Sequence, residues 1–288
     1  MKTGKHLFMA ISALALSLAA AGCAKAQSSA PATPATLTLT RLDCGTIMVN
    51  DLNLFSDTDA FLGAQRQLVD SCYLIRHGDT YMLWDTGLPA SLIGAVREQG
   101  EPMVPAMTIS ISDQLARLGV RPDQISIIAI SHRHFDHIGQ IGDFPNARLL
   151  IGAGDWNDIR SEGLANEENA PFAHWLTGGG NVDPVAGDRD IFGDGSVVML
   201  NMPGHTSGHH SLLVRLAAMG PVLLTGDLAH FQENYDQNGV PIFNADRADT
   251  LASFDRFKAL ARNLRATVII QHEAGDVGKL PAFPAAAQ

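Results

Sequence analysis

A chain of 288 residues with 46% hydrophobic content is long enough to bury a sizeable core, and a single α/β domain of this length is ordinary. Its 20 basic and 30 acidic residues leave a formal charge of −10, which argues against a basic face for nucleic acid or for an anionic membrane and weakly favours neutral or cationic substrates. No internal stretch reads as a domain linker.

Residues 1–26 read as an export signal: Lys2 and Lys5 make a positive start, residues 7–21 are apolar, and small residues follow. The apolar run is too short to count as a membrane span. Ala20-Ala21-Gly22-Cys23 resembles a bacterial lipobox, ending the signal at Gly22 and leaving Cys23 as a lipidated N-terminus. Ala24-Lys25-Ala26 competes as an ordinary A-x-A site before Gln27. The expected location is the periplasm, with an outer-membrane lipid anchor if Cys23 is used. Residues 27–36, rich in Ala, Pro, Ser and Thr, make a flexible tether, and the folded domain is expected over 37–288.

Strands are expected at 37–43, 72–77 and 80–84, with His77-Gly78-Asp79 as a hairpin turn. Cys44 and Cys72 lie near the edges of these strands; an exported compartment permits their pairing, and two buried thiols are the alternative. A helix follows over 112–118, capped by Ser112 and stopped by Gly119. The apolar stretch 125–130 reads as a buried strand that runs into Ser131-His132-Arg133-His134-Phe135-Asp136-His137. Three imidazoles and a carboxylate in one short loop suggest a metal site that needs further ligands, against a His-rich surface loop as the bland alternative. Residues 155–190, with Gly178-Gly179-Gly180, several acids, Trp156 and Trp175, fit a helix and an irregular insertion better than core strands.

Three later apolar runs also end in ligand-type side chains. Residues 197–202 lead into Pro203-Gly204-His205-Thr206-Ser207-Gly208-His209, residues 222–225 into Gly226-Asp227, and residues 267–271 into His272. Between the last two, Leu251, Phe254, Phe257, Leu260 and Leu264 recur at helical spacing, an amphipathic helix over about 249–264 packed on the sheet. Strand ends of like direction gather at one edge of an α/β sheet, so these side chains are expected to converge. His132, His134 and His205 sort to one metal, and Asp136, His137 and His272 to another, with Asp227 bridging the pair. Two divalent cations are implied; the donors suit zinc, and also iron, cobalt or manganese. His209 is expected to support its loop rather than bind metal. His6, His77, His174 and His210 carry no signal.

With HxHxDH followed by a distant His, Asp and His, the chain resembles the metallo-β-lactamase superfamily. Asp85-Thr86-Gly87 is similar to that family's early DTG turn, and Pro203-Gly204-His205-Thr206-Ser207-Gly208-His209 to its PGHTxGH loop. Stretches 72–75, 81–89, 226–231 and 243–247 look like its N-acyl-homoserine lactonase, or quorum-quenching, branch. The fold implied is α/β, a four-layer αβ/βα sandwich, which two β-rich halves with helices outside also suggest. The activity implied is opening of the lactone ring of N-acyl-homoserine lactones by a hydroxide that two metals share.

In that reading Asp136 also orients the hydroxide and carries a proton to the leaving oxygen, while Asp85 buttresses the site through loop hydrogen bonds. Lactonases of this branch commonly place a tyrosine three residues after the bridging acid, where this chain has His230. His230 can donate the same hydrogen bond, with Tyr235 as the alternative. Met48, Phe55, Phe61, Met103, Met107, Trp156, Phe172, Trp175 and Phe231 are expected near the metal edge; Met48, Trp156 and Phe231 are the candidates for contact with substrate. The partner is then a small-molecule lactone, with a homodimer left open. A β-lactamase is the first rival, although an acid at the bridging position speaks against it. A phosphotriesterase or aryl-ester hydrolase is the second, and a non-catalytic metal-binding surface lipoprotein the third.

Overall fold

The computed structural model describes residues 36–96 and 100–288, together with Met1 and Gly4. The expected export signal, Cys23 and the tether lie outside the described residues, apart from Met1, Gly4 and Thr36. In chain order the regular elements are β1 (Leu37–Val49), β2 (Arg66–His77), β3 (Thr80–Trp84), β4 (Met103–Ala106), α1 (Ile111–Arg117), β5 (Ile125–Ala129), α2 (Phe135–Ile138), β6 (Arg148–Gly152), α3 (Ala153–Glu162), α4 (Ala173–Leu176), β7 (Val182–Val185), β8 (Arg189–Asp190), β9 (Val197–Asn201), β10 (His210–Leu216), β11 (Gly220–Leu224), α5 (Gln232–Gln237), α6 (Arg247–Leu264) and β12 (Thr267–Ile269). None of the described helices is long and apolar enough to cross a membrane.

Strands β4-β1-β2-β3-β5-β6-β7 form one sheet and β12-β11-β10-β9-β8 a second. The alternating side chains of strands direct one face of each sheet inward. Thus Leu39, Tyr73, Ile75, Met82, Trp84 and Ile127 from the first sheet meet Met199, Leu212, Val214, Val222 and Leu224 from the second in a shared core. On the outer face of the first sheet, Ile111 and Leu115 of α1 and Trp156 and Ile159 of α3 cover Leu74, Leu83, Ile128 and Leu149. On the outer face of the second, Phe254, Phe257 and Ala261 of α6 pack on Leu200, Leu213 and Leu223. The result is the expected four-layer αβ/βα sandwich. The α6 helix follows its helical apolar spacing: Asp246 caps it by accepting from the Asp249 N–H, and Arg265 ends it in the left-handed region at φ 52°. Burial of each phenylalanine on this face contributes about 2–3 kcal/mol.

Three local expectations need correction. The cap of α1 is Ser110, whose hydroxyl accepts from the Asp113 N–H, so the helix begins at Ile111 and Ser112 lies inside it. Region 155–190 is mostly helical and irregular as expected, yet β7 pairs in parallel with β6 and extends the first sheet. A short edge strand carrying Pro184 has a weak strand signature, which is why the sequence does not announce it. Strand β1 runs on past residue 43 through a bulge between Asp43 and Gly45, where Gly45 takes φ 118°. The bulge moves the alternation by one residue. Leu42 opposes Cys72 before it and Ile47 opposes Leu68 after it, so an even-numbered and an odd-numbered residue of β1 share a face. The hairpin between β2 and β3 is as read, with His77 opposite Thr80 across Gly78-Asp79.

Candidate metal centre

Parallel strand ends build the site. His132 follows β5, His134 caps α2, and Asp136 and His137 fill that helix's first turn. His205 follows β9, Asp227 follows β11 and His272 follows β12. In the second sheet β11 and β12 are parallel, and β9 runs the same way because β9 and β11 both pair antiparallel with β10. All seven expected side chains are thereby brought together, in two groups: His132, His134, His205 and Asp227, and Asp136, His137, Asp227 and His272.

In the first group His132 Nε2 lies 2.9 Å from His134 Nδ1 and 3.1 Å from His205 Nε2, and the last two are 2.9 Å apart. In the second, His137 Nε2 and His272 Nε2 lie 3.1 and 3.0 Å from Asp227 Oδ1. Asp136 stands 3.8 Å from both of these histidines. The other oxygen of Asp227, Oδ2, faces His205 at 3.3 Å and His132 at 3.6 Å. One carboxylate therefore serves both groups, one oxygen to each.

The rings are aimed by what their remaining nitrogens touch. His137 Nδ1–H donates to Asp85 Oδ2 at 3.0 Å, His272 Nδ1–H to the Val69 carbonyl at 2.8 Å, His205 Nδ1–H to Asn244 Oδ1 at 2.9 Å, and His132 Nδ1–H to Ser131 Oγ at 3.0 Å. Such partners set the tautomer and leave the opposite lone pair for a cation. Asp85, at φ 59°, also accepts from the Ser131 N–H at 2.6 Å and from Gln271 Nε2 at 2.7 Å. His209 is not in either group. Its Nδ1–H donates to the Met202 carbonyl at 2.9 Å, and its Nε2 accepts from the Asp227 N–H at 2.9 Å, so it holds the bridging residue's backbone. Asn244, Ser131 and Gln271 lie in stretches that the sequence marks, yet their hydrogen-bond roles have no signal there, because a polar residue has no spacing signature until its partner is known.

The donor chemistry fits two divalent cations. Three imidazole nitrogens that face one another at 2.9–3.1 Å cannot each find a proton to share, whereas ligands of one tetrahedral ion with metal–nitrogen distances of about 2.0–2.1 Å would stand about this far apart. Charge points the same way. Burial pushes His132 and His134 well below the usual imidazole range, keeping them neutral as ligands must be. For His272, burial is outweighed by Asp227, which raises it to about 9; Asp227 itself, despite burial, is held well below the carboxylate range by His137, His230, His272 and His132. The carboxylates thus demand positive charge at this spot.

Above the cluster opens a cavity of about 240 Å³ lined by Ile47, Phe55, Leu68, Met103, His134, Phe135, Asp136, Asp227, His230, Phe243 and His272. His230 is buried, with Nε2 3.0 Å from Asp227 Oδ2; burial first, against Asp227, lowers its ring to about 4 and keeps it neutral. Phe55 and Met103 line the cavity as expected, but the three selected substrate contacts do not. Met48 is on the other face of β1 because of the bulge, and Ile47 takes its place. Trp156 is in the core beneath α3, against Phe172. Phe231 is fully buried behind the cavity among Phe55, Phe61 and the Arg66 guanidinium. Tyr235 is half-buried and packs on Phe257 at the edge of the core under α6, away from the cavity lining, so it is no alternative to His230. Cys44 and Cys72 form a disulfide.

Comparison with known proteins agrees with this geometry. Residues 66–272 match the family model of the metallo-beta-lactamase superfamily, and the chain belongs to that superfamily. It is accordingly a metal-dependent hydrolase, in the branch that contains the N-acyl homoserine lactonases. It is 29% identical over 225 residues to N-acyl homoserine lactonase AttM of Rhizobium johnstonii, covering 73% of this chain and 84% of the relative. With an N-acyl homoserine lactonase of a Bacillus species it shares 31% identity over 222 residues, 74% of this chain and 84% of the relative. A solved N-acyl homoserine lactone hydrolase with the product N-hexanoyl-L-homoserine at its catalytic metal center superposes with TM-score 0.74 and 26% identity, over 88% of this chain and 100% of that one.

Proposed function

We propose that this protein is an exported dinuclear hydrolase that opens the lactone ring of N-acyl-homoserine lactones. Two divalent cations at the centre, zinc foremost and iron, cobalt or manganese as alternatives, would supply a water acidified enough to attack at neutral pH and an electrophile for the carbonyl. The ligands would be His132, His134 and His205 on one side, Asp136, His137 and His272 on the other, and Asp227 between them. Asp136, at the cavity floor, takes the proton of the attacking water and returns it to the ring oxygen as the carbon–oxygen bond breaks, so lactone plus water becomes a hydroxy acid. The Nε2–H of His230, which stands 3.0 Å from Asp227 Oδ2, would turn from that oxygen, once a cation takes it up, to donate to the carbonyl or departing oxygen beside it.

The observation that carries this reading is the cavity wall. Ile47, Phe55, Leu68, Met103, Phe135 and Phe243 offer apolar surface for an acyl chain, and no lysine or arginine is among the described residues that line it. A β-lactam carries a carboxylate that would need such a cation, whereas an acyl lactone is neutral. A metal-capturing surface protein needs neither the cavity nor the bridging acid.

A substrate panel on the metal-loaded mature protein tests the proposal: proton release from a long-chain homoserine lactone beside nitrocefin and a phosphotriester. Fast lactone turnover is expected. Background lactone rates with rapid β-lactam or phosphotriester turnover would replace it.

Export belongs to the same proposal. The basic and apolar start of the chain and the lipobox ending at Cys23 support it, and so does the Cys44–Cys72 disulfide, since such bonds persist in oxidising compartments. Labelled fatty acid should enter the wild-type protein in the periplasm and be absent from Cys23→Ala; equal labelling or none in both removes the anchor.

A further inference from the structure

One buried carboxylate outside both ligand groups touches each of the two loops that carry the three-imidazole group. Asp155, in the first turn of α3, has no solvent exposure. Its Oδ2 accepts from the Arg133 N–H at 3.1 Å, between His132 and His134, and from Thr206 Oγ1 at 2.9 Å, next to His205. Its Oδ1 accepts from the Gly208 N–H at 2.8 Å. The second loop lies directly on this carboxylate: a Cβ at Gly208 would stand 2.8 Å from Asp155 Cγ and 2.9 Å from its Oδ1. Behind it, a Cβ at Gly152 would stand 1.8 Å from the Gly208 carbonyl oxygen, so neither position accepts a side chain without moving the loop.

We propose that Asp155 is the positioning residue of the three-imidazole site, clamping the His132–His134 loop to the His205 loop and so setting that site's affinity for its cation. The second group is not tied this way: His137 is held by Asp85, and His272 by the Val69 carbonyl. Burial pushes the Asp155 carboxyl up to about 6, against the pull of Thr206, Gly208 and Arg133. The inference rests on the reading of the cluster as a two-cation site.

Chelator titration of the cobalt(II)-loaded protein, followed by the cobalt absorption spectrum, tests it. Asp155→Asn should release one of two equivalents at a chelator activity about tenfold to a hundredfold lower than wild type, with the other within about threefold. Thr206→Val, which deletes one donor and leaves the carboxylate, should shift the same step less and guards against a misfolded Asp155 variant. Asp158→Asn, one turn along α3 and bonded to Ser207 at 3.0 Å, should leave both steps in place. Parallel shifts of both steps, or no shift in either Asp155→Asn or Thr206→Val, overturn the proposal. A wild-type protein that binds no cation overturns the metal reading beneath it and is recognised before any variant is made.

Discussion

His230 Nε2 lies 3.0 Å from Asp227 Oδ2, three residues away along the chain, while its Nδ1 is buried and has no hydrogen-bond partner among the described residues. The ring is thus tied to the bridging carboxylate at one end and lines the cavity. His230→Phe keeps the ring volume close and deletes the N–H. Lactone kcat is expected to fall about tenfold to a hundredfold with two cations still bound, the scale of one positioned donor. Unchanged kinetics would assign the ring to packing.

Asp227 offers Oδ1 to His137 and His272 and Oδ2 to His132 and His205. Its removal would leave the two cations that the site is proposed to hold without the carboxylate that both ligand groups share. Asp227→Ala should therefore reduce bound metal from two equivalents per chain to one or fewer and lower turnover by more than about a hundredfold. Elemental analysis beside activity decides it; two retained equivalents would show that the carboxylate is not shared.

Stripping the cations should abolish hydrolysis and lower stability. A ligand present at a thousandfold excess over its dissociation constant stabilises the folded state by about 4 kcal/mol, and here the buried donors are left facing one another when it leaves. The thermal midpoint should drop on chelation and return, with activity, on adding zinc or cobalt. A cation-free sample with full activity would end the metal reading.

The Cys44–Cys72 bond closes a separation of 28 residues, and Gly87 of the turn that carries Asp85 lies against it: a Cβ there would be 2.4 Å from Cys44 Cβ. Replacing both cysteines by alanine is expected to cost roughly 3–4 kcal/mol. Denaturant unfolding measures this, and a midpoint equal to wild type would show that the bond contributes nothing.

The bulge in β1 makes a paired prediction. Ile47 lines the cavity and Met48 does not, so under the proposed function Ile47→Ala should raise KM for a long-chain lactone by roughly tenfold, because it removes apolar surface from the wall proposed to receive the acyl chain, while Met48→Ala leaves KM in place. The opposite order would mean that Met48, not Ile47, faces the substrate.

What could be read along the chain was whatever covalent order alone expresses. The HxHxDH run and the later His205, Asp227 and His272 each end an apolar stretch, and the period of α6 shows in five residues; both are patterns within a few residues of one another. The sandwich and the pairing of ligands follow from such patterns, because parallel strand ends have one edge to share. Tertiary structure alone decided which apolar side chains face the cavity, since a single bulge at Asp43–Gly45 exchanges Met48 for Ile47, and a strand's facing depends on its register with β2. It also decided the partners of the ligands. Asp155 holds Arg133 and Gly208 across 22 and 53 residues of chain, and a carboxylate that distant has no local pattern to betray it; its role exists in the contact, which folding creates.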